Sequence, residues 1–128
     1  MSEPNWIGKA VVLAIHDAQI AEHGGGPGLR DEGLLESALA RPRNLFADGN
    51  PDDYRLAAAY AFGIAANDPF TDGDKRTVLV VSTTFPSLAG KTLTASPKER
   101  VATLLRLAAG EIDEDALADW FRQGSTLP

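Results

Sequence analysis

Arg55-Leu56-Ala57-Ala58-Ala59-Tyr60-Ala61-Phe62-Gly63-Ile64-Ala65-Ala66 runs without a break into Asn67-Asp68-Pro69-Phe70-Thr71-Asp72-Gly73-Asp74-Lys75-Arg76-Thr77. The first stretch is rich in alanine and apolar on every face, the pattern of a helix surrounded by other helices. Its small side chains let neighbours approach closely, and its last turn delivers Asn67 and Asp68 to the second stretch. That stretch is polar. Within nine residues it holds three carboxylates, Asp68, Asp72 and Asp74, and two adjacent cations, Lys75 and Arg76, and a second apolar run from Val78 to Val81 follows. Charge held this close to a core has a function or a partner. A buried central helix ending in a polar site loop is the expected organisation.

The loop residues suggest a chemistry on their own. Gly73 between two carboxylates, followed by Lys75 and Arg76 near a possible helix start, would gather backbone N–H groups, a positive helix end and two cations around one point. Such a point is an anion site with room for a metal. Asp72 can hold a divalent cation against phosphate oxygens, as magnesium is commonly held, while Lys75 and Arg76 neutralise charge on a nucleotide. The plainer alternative is that Asp72 and Asp74 cap a helix and pair with the two cations.

Composition narrows the classes. A chain of 128 residues suits one domain, here residues 1–128, with a real core and no need of disulfides. A net charge of -6 and a pI near 4.8 argue against general affinity for nucleic acid or an anionic membrane. There is no cysteine, hence no thiol nucleophile or zinc-thiolate site. The start, Met1-Ser2-Glu3-Pro4-Asn5-Trp6, lacks the basic and apolar regions of a signal peptide. The longest apolar run is about half a membrane span. A soluble, cytoplasmic protein is expected.

Around the central pair, further helices follow from periodicity and caps. Ile7, Val11, Ala14, Ile15 and Ala18 recur at helical spacing between Trp6 and His23, and Gly24-Gly25-Gly26-Pro27-Gly28 stops that helix. The glycines follow a helix rather than a strand, so they read as a turn and not a phosphate cradle. His16, among apolar neighbours, reads as a hydrogen-bonded structural residue. Asp31 can cap a second helix to about Ala40, ended by Pro42, with Arg41 and Arg43 solvated or reaching a phosphate, and Ala47-Asp48-Gly49-Asn50-Pro51 as a flexible link. Gly90-Lys91-Thr92 is no Walker loop, because Phe85 stands where that motif needs glycine. Ser96-Pro97-Lys98-Glu99 is a capping box opening a helix to Ala109, and Asp113 to Arg122 forms a last helix anchored by Leu117, Trp120 and Phe121.

The loop resembles the signature of the Fic/Doc family, in particular its Doc branch, which reads His-x-Phe-x-Asp-(Gly or Ala)-Asn-Lys-Arg. Phe70, Asp72, Gly73, Lys75 and Arg76 stand where that motif has them, whereas Asp68 replaces the histidine and Asp74 the asparagine. His16-Asp17, Gly24-Gly25, Gly28-Leu29-Arg30-Asp31 and Ala40-Arg41-Pro42 are similar to the amino-terminal half of Doc-type chains, so the likeness spans nearly the whole sequence. It implies an all-α bundle of about six helices. It also implies a helix beginning just after Gly73, so the β-branched run Thr77 to Phe85 is expected to be helical to Pro86, although propensity alone would allow a strand.

The resemblance carries roles as well. It implies that the residue at position 68 takes the proton of a target hydroxyl, that Asp72 binds Mg2+, and that Gly73, Asp74, Lys75 and Arg76 form an anion hole for the phosphates of ATP. Lysine at position 75 implies phosphotransfer to a protein hydroxyl, as on a threonine of elongation factor Tu, rather than AMP transfer. A Phd-type antitoxin is the implied partner. Aspartate is shorter than histidine and a much weaker base, and Asp74 brings negative charge to an oxyanion cradle, so impaired activity is expected. Three readings stay open: a pseudoenzyme that keeps a binding surface, an altered enzyme in which Asp68, Asp72 and Asp74 jointly hold metal, and an inactivated form of a toxin.

Overall fold

The computed structural model describes residues 3–126. Among the described residues six helices, α1 Lys9–His23, α2 Glu32–Asp48, α3 Asp53–Asn67, α4 Asp74–Leu88, α5 Pro97–Ala108 and α6 Glu114–Gln123, form an all-α bundle. One small antiparallel pair, β1 Thr92–Leu93 with β2 Ser125–Thr126, joins the segment after α4 to the residues after α6. No helix among the described residues is long and apolar enough to cross a membrane.

The alanine-rich run is the central helix, as its composition requires. From Leu56 to Ala61 every side chain of α3 is buried, and α3 packs against α2, α4 and α6. Gly63 shows why small residues matter there: a Cβ at that position would lie 3.1 Å from the Ala38 carbonyl and 3.2 Å from its Cα. Leu35 and Ala38 from α2, Val78, Val81 and Phe85 from α4, and Leu117 and Phe121 from α6 close the core around α3. Trp120, the third expected anchor of α6, is only partly buried.

Caps set the starts of the helices. Asp31 accepts from Leu34 N–H at 3.0 Å, Asp52 from Arg55 N–H at 2.8 Å and Asp113 from Ala116 N–H at 2.8 Å. Ser96 caps α5 as expected, with Glu99 N–H donating to Ser96 Oγ at 3.2 Å, while the Glu99 carboxylate accepts from Ser96 Oγ at 3.1 Å. The β-branched stretch of α4 is helical. Its hydroxyls at Ser82, Thr83 and Thr84 turn back to the Leu79 and Val80 carbonyls, while Val78, Val81 and Phe85 face the core. Pro86 lies within the last turn, and α4 continues to Leu88.

One expectation fails at α2. Pro42 does not end it: the helix runs through the proline to Asp48, and the supposed link shrinks to residues 49–52. Proline removes the bond to the carbonyl four residues earlier, which is that of Ala38. That oxygen lies against Gly63 of α3, and Pro42 itself is buried, so packing on α3 carries the helix past its breaker. Arg41 is exposed, as expected of a solvated arginine, and it also carries an ion pair. It grips buried Glu114 through Nε at 2.6 Å and Nη2 at 3.0 Å, while Arg55 Nη1 reaches the same carboxylate at 2.6 Å. Arg43 lies over the Trp6 ring.

Candidate functional site in the loop between α3 and α4

The loop begins with an unusual backbone. Asp68 closes α3 with φ 48° and ψ 58°, the one non-glycine residue in the left-handed region among those described, and its N–H bonds the Ile64 carbonyl at 3.0 Å. Aspartate, asparagine and histidine adopt this conformation more readily than other side chains. Position 68 therefore suits either the aspartate found here or a histidine.

The residues after α1 hold this turn from outside. The Arg30 guanidinium donates through Nε to the Asp68 carbonyl at 3.0 Å and through Nη2 to that of Asn67 at 3.1 Å. The backbone continues the clamp: Arg30 N–H bonds the Pro69 carbonyl at 2.7 Å, Thr71 N–H bonds that of Gly28 at 3.2 Å, and Leu29 pairs with Phe70. Asn67 Nδ2 adds a bond to the Leu34 carbonyl at 2.9 Å. The glycine-rich segment is thus a turn, as expected, and it doubles as a strap along the site loop.

At the other end of the loop, Asp72 is exposed and its carboxylate is oriented by backbone. Oδ1 accepts from Gly73 N–H at 2.8 Å and Oδ2 from Gly26 N–H at 3.4 Å. Gly25 leaves the room for this, since a Cβ there would lie 2.6 Å from Asp72 Oδ2. Gly73 starts α4 at φ 81° without a side chain to cap it, so N–H groups of the first turn remain for an outside acceptor. Among the described side chains, no carboxylate pairs with Lys75 or Arg76. Of the alternative in which Asp72 and Asp74 cap α4 and pair with the two cations, the Asp72 half is not what its contacts show, and the Asp74 half falls on a side chain outside the described part.

These residues face one cleft. Asp68, Lys75 and Arg76 form its polar rim, with Ala65, Val78 and Leu79 on one wall and Val101, Leu104, Leu105 and Ala108 of α5 on the other, enclosing about 320 Å³. A second hollow of about 500 Å³ adjoins it, shares Asp68, Lys75 and Arg76, and adds Thr71, Asp72 and Gly73. Of the residues singled out from sequence, the structure brings Asp68, Asp72, Gly73, Lys75 and Arg76 to one wall. The side chain of Asp74 lies outside the described part, and with it the reading of three joint metal carboxylates.

The donor set fits magnesium. That ion takes one or two carboxylates and completes its shell with phosphate oxygens and water, and Asp72 offers one exposed, pre-oriented carboxylate beside the cations. Among the described residues no group of three or more histidine, aspartate or glutamate side chains could enclose a metal without a ligand's help.

Two functional contacts escape a reading of the loop alone. Arg30 holds the α3 terminus, and His16 Nε2 lies 2.6 Å from the Asp72 carbonyl while its ring stacks on Phe70 at 3.9 Å and 9°. Their segments are similar to Doc-type chains, but their partners lie 38 and 56 residues away.

Comparison with known proteins gives a consistent picture. A family model described as Fic/DOC family matches residues 6–85. Over 113 residues the chain is 32% identical to "Protein kinase doc" of Escherichia phage P1, covering 88% of this chain and 89% of that protein. It is 34% identical over 99 residues to "Toxin Doc" of Mycolicibacterium smegmatis, covering 74% of this chain and 76% of the relative.

Proposed function

Because the chain belongs to the Fic/DOC family, we propose that it is a Doc-type toxin homologue of a toxin–antitoxin module, with an ancestral ATP-dependent phosphotransfer to a protein hydroxyl that is impaired here. One observation carries the reading: Asp68, Lys75 and Arg76 share a cleft rim that continues to Asp72 and the open start of α4.

Each residue has a task in this reaction. Lys75, Arg76 and the first-turn N–H groups of α4 bind and orient the phosphates. Asp72 would hold Mg2+, which would supply neutralisation of the phosphate charge when bound. Asp68 receives the proton of the attacking serine or threonine hydroxyl as its oxygen bonds to the γ-phosphorus and the bond to the bridging oxygen breaks, releasing ADP. A poorly placed base costs on the order of 10² to 10⁴ in rate. The relative named a protein kinase supports phosphotransfer, and elongation factor Tu is the target to try first.

The test is transfer of labelled γ-phosphate from ATP to elongation factor Tu by the chain and by the double variant Asp68→His with Asp74→Asn. Weak transfer that rises strongly in the double variant is expected. A double variant that is silent in the assay and harmless on expression would contradict decay of an otherwise intact site. In a parallel assay with ATP labelled at the α-phosphate, label left on the target would mean AMP transfer.

A non-catalytic binding module is the second reading. Val101 and Leu105 stand 43% and 45% exposed in the cleft wall, which suits an apolar segment of a Phd-type antitoxin. Antitoxin capture without any nucleotide binding would favour it.

A further inference from the structure

The loop is anchored along Asn67 to Thr71 by the strap, but its functional end, Asp72 and Gly73, has a separate support. His16 of α1, 1% exposed, lies beneath it. Its Nε2 is 2.6 Å from the Asp72 carbonyl, an atom that can only accept, so Nε2 carries the proton. The ring is fixed in plane against Phe70, which is itself buried. The same edge sits under Gly73, where a Cβ would lie 3.4 Å from His16 Nε2 and 3.2 Å from Ile20 Cδ1. One side chain of α1 therefore meets three consecutive features of the loop: its buried aromatic, its carboxylate residue and its helix-opening glycine. His16 lines neither hollow of the cleft.

We infer that His16 is a positioning residue of the phosphate site, holding the Asp72 backbone so that its carboxylate faces the cleft beside the open start of α4. The link to metal and nucleotide rests on the function proposed above, whereas the anchoring of the loop does not. Backbone at Asp72 that is free to rotate would swing the carboxylate and misdirect the Gly73 amide together. Small displacements of a ligand-holding group are enough to weaken a site whose metal demands fixed geometry.

The test compares the full chain with His16→Phe and His16→Gln. Phenylalanine keeps the stacking surface and removes the donor, while glutamine places an amide N–H near the position of Nε2. Amide hydrogen exchange is read at Thr71 and Gly73, with Leu117 of α6 as the internal reference. His16→Phe should speed exchange at Thr71 and Gly73 on the order of 10-fold, the consequence of losing the donor that holds the Asp72 carbonyl, and leave Leu117 unchanged. His16→Gln should restore most of the protection. Manganese, titrated as a probe with ATP present, should bind about 10-fold more weakly to His16→Phe and near normally to His16→Gln.

Unchanged loop exchange in His16→Phe overturns the inference, as does equal acceleration at Leu117, which would make the role one of global stability. Glutamine behaving like phenylalanine also overturns it. If His16→Phe does not fold, ring nitrogen spectra of the unsubstituted chain decide: a neutral ring protonated at Nε2 supports the inference, and one protonated at Nδ1 contradicts it. A chain that binds no manganese with ATP, yet shows the exchange pattern, would remove the phosphotransfer reading and leave the anchoring role standing.

Discussion

At its amino end α3 is tied to α6 and the β1 segment by paired charges; at its carboxyl end it is held by backbone carbonyls. Asp52 pairs with Arg122 at 2.7 Å, Asp53 with Lys91 at 2.6 Å, and Arg55 with Glu114 at 2.6 Å and Asp115 at 2.9 Å. Cations and carboxylates there use up one another. At the other end Arg30 grips the carbonyls of Asn67 and Asp68, and the Asp68 side chain, Lys75 and Arg76 are left facing a cleft. Charge matched to charge fastens helices, whereas backbone-held loops keep their charges for a ligand.

Breaking the fastened end should have the largest effect on stability. Glu114 is buried and serves two arginines, so Glu114→Ala strands both and should cost roughly 2–4 kcal/mol in chemical denaturation, toward the lower end because Arg41 can reach water. Nucleotide affinity of the folded fraction should stay unchanged. Gly63→Val, between the two ends, forces α2 from α3 at Ala38 and should cost about 1–3 kcal/mol by overpacking, read by the same denaturation.

Breaking the open end should reverse the pattern. Arg30→Ala removes bonds to two carbonyls at an exposed edge and should cost about 1 kcal/mol or less of global stability. Amide exchange at Asp68 and Thr71 should nevertheless rise well before that of α6. If denaturation shows a loss as large as for Glu114→Ala, the division between the two ends is wrong.

The smallest effect concerns acid. The Asp52 carboxyl is held below its ordinary 3.8 by the hydrogen bond from Arg122, against burial, with help from the Arg55 N–H. Its folded value is the lower one, so its stabilisation is complete above the unfolded value and is lost as pH falls through the folded one. Asp52→Asn keeps a cap and should flatten stability against pH below about 4, at a cost under about 1 kcal/mol at neutral pH because the pair is partly exposed. An acid limb identical to that of the parent would remove Asp52 from the balance.

Much of this was legible in the chain. The apolar, alanine-rich run specified a central helix, and side-chain caps at Asp31 and Ser96 marked helix starts, because both signals are local. Asp68, Asp72, Gly73, Lys75 and Arg76 line adjoining hollows because they are neighbours in sequence on one turn and one helix start. Pro42 misled, since its tolerance depends on Gly63 of another helix. The partner of Arg41 was hidden for the same reason, Glu114 being 73 residues away. His16 was legible as a hydrogen-bonded residue, but its acceptor, a backbone carbonyl at Asp72, has no signature in side-chain pattern.

Calorimetric titration of the chain with ATP, with and without magnesium, bears most directly on the phosphate site. Binding that requires magnesium and weakens in Asp72→Asn is expected. Absence of binding in both conditions, with the chain folded, would contradict a nucleotide site and leave the cleft as a surface for a protein partner.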